Sequence, residues 1–79
     1  PTLTTVTFAD PFSGKQYVTT SYKAGVIETG VAARMIARAN ELKGLLDPAD
    51  PAIEAELRGY IELLESMRSI SDVYASPVY

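Results

Sequence analysis

Three residue types are missing from this chain: cysteine, histidine and tryptophan. Without cysteine there is neither a disulfide nor a thiol nucleophile. Without histidine there is no Ser-His-Asp relay, and lacking both residues the chain has no ordinary ligand set for a structural zinc. Bases are also scarce, seven against ten acids, so the net charge of −3 offers no electrostatic footprint for nucleic acid. No apolar run approaches the ~18 residues of a membrane-spanning helix. The first residues lack the charged-then-apolar order of a secretory signal peptide, and the expectation is a protein that works, or is assembled, inside a cell.

What is present is the composition of a small globular domain. Of 79 residues 47% are hydrophobic and 22% charged, which allows one domain at most. A chain of this length buries only ~60% of its unfolded surface, so it is expected to be marginal alone or supported by a partner.

The first third reads as strands. Thr2 to Phe8 is dense in β-branched residues, with Leu3, Thr5 and Thr7 on one face and Thr4, Val6 and Phe8 on the other. Ala9 to Lys15 (ADPFSGK) carries Pro, Gly, Asp and Ser in turn positions, and Gln16 to Tyr22 is a second β-rich run. Together they predict an antiparallel hairpin over residues 1–22. In residues 23–44, Val31, Met35, Ala39 and Leu42 recur at helical spacing, and Gly44 is a natural stop. The start is open between Ala24, where Ala24, Ile27 and Val31 continue the stripe, and a point after Thr29 acting as N-cap. The longer helix, bending at Gly30, is the favoured reading.

Asp47-Pro48 and Asp50-Pro51 each offer an N-cap followed by Pro, and from Pro51 the stripe Ile53, Leu57, Tyr60, Ile61, Leu64, Met67 is clean. The fold class expected is therefore α+β: an N-terminal β-hairpin, an antiparallel αα-hairpin over residues 23–68, and an extended tail over 69–79 in which Pro77 prevents further helix. Leu57, Ile61 and Leu64 are expected to pack against Val31, Met35 and Leu42.

Few residues invite a chemical reading. Ser13-Gly14-Lys15 lacks the first Gly and the following Ser or Thr of a phosphate-binding loop and lies between strands. Glu54, Glu56, Glu62 and Glu65 spread around the polar side of a helix, and Glu54 with Arg58 makes an i,i+4 pair. No catalytic residue, cofactor site or metal site is assigned. Contact surface is better represented. Phe12 sits at a loop tip, where it either folds back or anchors a partner. Gly25, Thr29, Ala33 and Ala37, spaced by four, would make a smooth side on the longer helix. Val73, Tyr74, Val78 and Tyr79 crowd the tail with anchor-type side chains, and docking of this tail into a neighbour is the preferred reading. Charge is also divided. Residues 1–40 hold four bases and two acids, and residues 41–79 hold three bases and eight acids. That suits head-to-tail association or pairing within the helical hairpin.

The order of hairpin, helix and acidic helix, with Ala33-Arg34-Met35 and Ile70-Ser71-Asp72-Val73-Tyr74, resembles small phage morphogenesis proteins, particularly tail assembly chaperones. The chain departs from them in its shorter acidic helical region. The resemblance implies a non-enzymatic virion or assembly protein, in a virion or the host cytoplasm. It would contact proteins, as a homo-oligomer or within a larger assembly, and not nucleic acid, membrane or a small-molecule substrate. Two alternatives are an accessory or regulatory subunit of a cellular complex and a small enzyme using the amine of Pro1 as a base. In the second, Pro1 resembles the N-terminal base of the tautomerase family, although a second strand-like run stands where that family has a long helix.

Overall fold

The computed structural model describes the backbone of residues 2–70 and the side chains of residues 3–67. β1 (Thr2–Ala9) and β2 (Gln16–Ala24) form the expected hairpin, with Leu3 opposite Tyr22, Thr5 opposite Thr20 and Thr7 opposite Val18. The turn is built on Asp10. Its Oδ1 accepts the N–H of Phe12 at 2.7 Å and of Ser13 at 3.3 Å, and its Oδ2 accepts the Ser13 hydroxyl at 2.8 Å. Gly14 supplies the left-handed φ of +79° that closes the loop.

A third strand stands where the longer first helix was expected. Gly25 (φ +66°) and Val26 turn β2 into β3 (Ile27–Glu28), so that Ala24 pairs with Ile27 and Lys23 with Glu28. Glycine at the first central position with positive φ is the signature of a two-residue hairpin turn whose twist suits the flanking strands. The sheet order is β1-β2-β3. Residues Ala24 to Glu28 are thus not helical, and the helical region begins well after residue 23.

Helix α1 (Val31–Leu45) starts after Gly30, which is extended at φ −78° and ψ 143° and whose carbonyl accepts the N–H of Arg34 at 2.9 Å. Neither a side-chain cap nor an acid in the first turn helps this start. The nearby help comes from Ser21 and Glu28. The fully buried Ser21 hydroxyl accepts the Gly30 N–H at 3.4 Å and lies 3.0 Å from Glu28 Oε2, to which Thr4 Oγ1 donates at 3.2 Å. One carboxylate thereby joins β1, β2 and β3 just before the positive end of the helix.

Residues 46–50 connect the helices. Asp47 accepts the Ala49 N–H on its side chain and the Asp50 N–H on its carbonyl, each at 2.9 Å, and α2 (Pro51–Ile70) begins at the proline as expected. Arg38 reaches across to Glu56 at 3.4 Å, and Glu54 pairs with Arg58 at 3.1 Å.

Both helices lie on one face of the sheet. The core between these layers is Phe8, Tyr17, Ile36, Ala39, Leu42, Leu57 and Leu64, with Met35, Ile53, Tyr60 and Ile61 at its margin. The rings of Phe8 and Tyr17 stack with centroids 6.3 Å apart. Of the six residues expected to meet between the helices, Leu42, Leu57 and Leu64 are buried, while Met35 and Ile61 are half-buried. Val31 is the exception at 55% exposure, because Ala32, Ala33 and Ile36 take the buried side of the first turns. A helix that starts at Val31 and must face both α2 and the sheet buries a side rotated from the stripe read in the sequence. The expected tail lies outside the described residues, apart from the last turn of α2.

Candidate docking surface

The other face of the sheet is open. Strand alternation sends Leu3, Thr5, Thr7 and Ala9 of β1 outward, together with Val18, Thr20, Tyr22 and Ala24 of β2 and Ile27 of β3. All are exposed, including Leu3 at 58%, Val18 at 61% and Ile27 at 63%. None carries a charge. Leu3 lies beside Tyr22 in the pairing, and Ile27 beside Ala24, so Leu3, Tyr22 and Ile27 gather at the end away from the Asp10 turn, while Val18, opposite Thr7, lies nearer that turn. Val26, at 89% exposure, continues the patch into the β2–β3 turn.

The edge of β1 belongs to the same surface. In an antiparallel pair, alternate residues turn their N–H and C=O toward the partner strand. The Asp10 N–H donates to Lys15 O at 2.8 Å, so the even-numbered residues of β1 face β2, and Leu3, Thr5, Thr7 and Ala9 face the free edge. Side chains of α1 take part of that edge. Asn40 Nδ2 donates to Thr7 O and Lys43 Nζ to Ala9 O, each at 2.9 Å. Lys43 Nζ also stands 5.7 Å from the Phe8 ring centroid. Helix α1 therefore crosses the sheet diagonally, from Ser21 and β3 at its start to the β1 edge at its end. Among the described residues nothing comparable covers the edge groups of Leu3 and Thr5.

The residues singled out in the sequence are scattered. Phe12 folds back: the Arg58 guanidinium lies 3.9 Å from its ring centroid, and 37% of the residue remains exposed. The row Gly25, Thr29, Ala33, Ala37 does not exist as one helix side. Gly25 is in the β2–β3 turn, and Thr29 precedes the helix, its hydroxyl and N–H donating to Tyr22 O at 2.6 and 3.0 Å. Ala33 is fully buried, and of the four only Ala37 is an exposed position on α1. Val73, Tyr74, Val78 and Tyr79 lie outside the described residues. Leu3, Val18, Tyr22 and Ile27 carry no motif that singles them out, although the charge-free Leu3–Thr5–Thr7 face is present in the sequence as an alternation.

The divided charge is partly settled inside the fold. Lys15 meets Glu65 at 3.4 Å and Arg38 meets Glu56, pairing bases of the first half with acids of the second. The Tyr17 hydroxyl donates to the same Glu65 carboxylate at 2.8 Å. Among the described residues no group of three or more acidic side chains is placed to hold a metal ion, and no helix is long and apolar enough to cross a membrane. Comparison with protein-family models, curated proteins and solved structures finds no match to this chain.

Proposed function

We propose that this chain is a non-enzymatic assembly protein, a structural or morphogenesis subunit of a phage particle, which acts through protein–protein contact on the outer face of its sheet. The observation that carries the reading is the uncharged face formed by Leu3, Val18, Tyr22 and Ile27. A charge or two on the solvent side would cost an isolated domain nothing. Their absence from two adjacent strands fits a surface that is covered in use. The small core supports the same reading, since a domain of this size gains stability from its neighbours.

The test is a single charge on the face. In cells that produce the whole assembly, Val18→Glu is expected to shift the protein from the fast-sedimenting particle fraction to free protein on a gradient. Its far-UV circular dichroism should stay unchanged, because Val18 points away from the core. A Val18→Glu protein that still travels with particles, or a wild-type protein found only free, contradicts the proposal.

A further inference from the structure

The uncovered part of the β1 edge has a definite length and polarity, and these select an occupant. β1 contains no charge, no proline and no glycine, and its pairing with β2 runs without a bulge from Thr2 to Ala9. Those are the devices by which solitary edge strands avoid further pairing, and this edge uses none of them. Among the described residues the cover from Asn40 and Lys43 stops at Thr7, leaving the N–H and C=O of Leu3 and Thr5.

We infer that this half-edge pairs antiparallel with the same half-edge of a second copy of the chain, with Leu3 opposite the partner's Thr5 about a two-fold axis. The inference rests on the assembly reading and names its first partner. In this register each Leu3–Thr5 pair exchanges both of its hydrogen bonds, and it uses only groups that no described residue covers. Sliding by two residues would set Leu3 against the partner's Thr7, whose carbonyl Asn40 already occupies. Sliding by one would aim each edge group at a residue whose own groups face inward. The side chains of the seam, Leu3, Thr4 and Thr5, are uncharged, and the Glu28 carboxylate behind Thr4 is held by hydrogen bonds from Thr4 and Ser21. The two α1 helices end at Ala9 of each copy, at opposite ends of the seam, so they do not collide. The outer faces then join into one surface on a sheet that runs through both copies.

The edge and the face are separable by substitution. Thr5→Pro removes an N–H that points to the edge and not to β2, a position where edge strands accept proline. Thr20→Pro does the same on the outer edge of β2, opposite Thr5 in the hairpin. Native mass spectrometry and sedimentation velocity are expected to give twice the chain mass for the wild type and for Thr20→Pro, and the single-chain mass for Thr5→Pro. All three should share one far-UV circular dichroism spectrum.

If Thr5→Pro disturbs that spectrum, amide exchange on the wild type decides. Protection of the Leu3 and Thr5 amides should rise with protein concentration. In a mixed-label dimer, Thr4 should show a cross-copy Hα contact, as expected for strands about 4.5 Å apart at a non-hydrogen-bonded pair. A dimer that survives Thr5→Pro, a dimer lost only in Thr20→Pro, or edge amides that exchange freely at every concentration would each overturn the pairing. If Val18→Glu abolishes particle incorporation while the edge tests fail, the assembly reading stands and only the self-pairing falls.

Discussion

The guanidinium of Arg58 lies over the ring of Phe12, 3.9 Å from its centroid, and ties the tip of the hairpin to the middle of α2. The same Arg58 pairs with Glu54, so one side chain is held between a carboxylate and an aromatic face. A cation over a ring at an exposed site contributes about 0.5–1 kcal/mol. A double-mutant cycle of Phe12→Leu and Arg58→Gln in urea unfolding should return a coupling of that size. Additive effects would show that the ring is held by other neighbours.

Leu57 is the center of the helix layer and has no exposed surface. Leu57→Ala should cost about 2–5 kcal/mol, a large share of the stability of any small domain. The variant is expected to lose most of its cooperative thermal transition. Val31→Ala, at a position the sequence stripe marks as equally apolar, should stay within about 0.5 kcal/mol of wild type. Equal losses at both positions would mean that the burial described for α1 is wrong.

Two glycines should respond in opposite directions. Neither Gly25 nor Gly59 has an atom near enough to crowd an added methyl group. Gly25 has a φ of +66°, so Gly25→Ala should destabilise by about 1–2 kcal/mol. Gly59 lies inside α2, where Ala is favoured over Gly by about 1 kcal/mol, so Gly59→Ala should raise the melting temperature.

Asp10 makes acid stability predictable in sign. Burial pulls its carboxyl toward a higher pKa, but hydrogen bonds from the Phe12 N–H and from Ser13, with the nearby charge of Arg58, outweigh this and hold it below the ordinary carboxylate value. A carboxylate whose pKa is lower in the folded state adds stability above its unfolded pKa, and that stability is lost as pH falls through the folded value. Unfolding free energy should therefore decline below about pH 4, the ordinary range of an aspartate. In Asp10→Ala the slope should be shallower and stability at neutral pH lower by about 1–3 kcal/mol. An unchanged acid slope would remove Asp10 from the account.

The hairpin, its turn and α2 are legible in the sequence because each has a local cause. β-branched runs flank a Pro-Gly loop, and Pro51 follows Asp50 before a regular stripe. The first helix is misread at its start for an equally local reason. Ala24, Ile27 and Val31 are spaced like a helix face, while the turn that overrides them consists of one glycine and one valine. Strand β3 is two residues long and leaves no period to detect. The uncharged outer face of the sheet is only half legible in the sequence. The alternation that exposes Leu3, Thr5 and Thr7 is present in the sequence, but partial cover of their edge by Asn40 and Lys43 depends on the angle at which α1 crosses the sheet.

The alanines on the buried side of α1 bear on how so short a chain can order at all. Ala32, Ala33 and Ala39 are the close-packed positions, two of them with no exposed surface. An alanine has no rotamers to lose, whereas freezing a long side chain costs up to about 2 kcal/mol at room temperature. Docking α1 through methyl groups thus spares the folding chain much of the disorder it would otherwise surrender, and the larger α1 side chains fully buried beside them are Ile36 and Leu42. The same economy makes the face intolerant of growth. A larger residue at Ala33 or Ala39 would bring new apolar area and its own rotational freedom into a gap sized for a methyl, and would push the helix off the sheet instead of filling it.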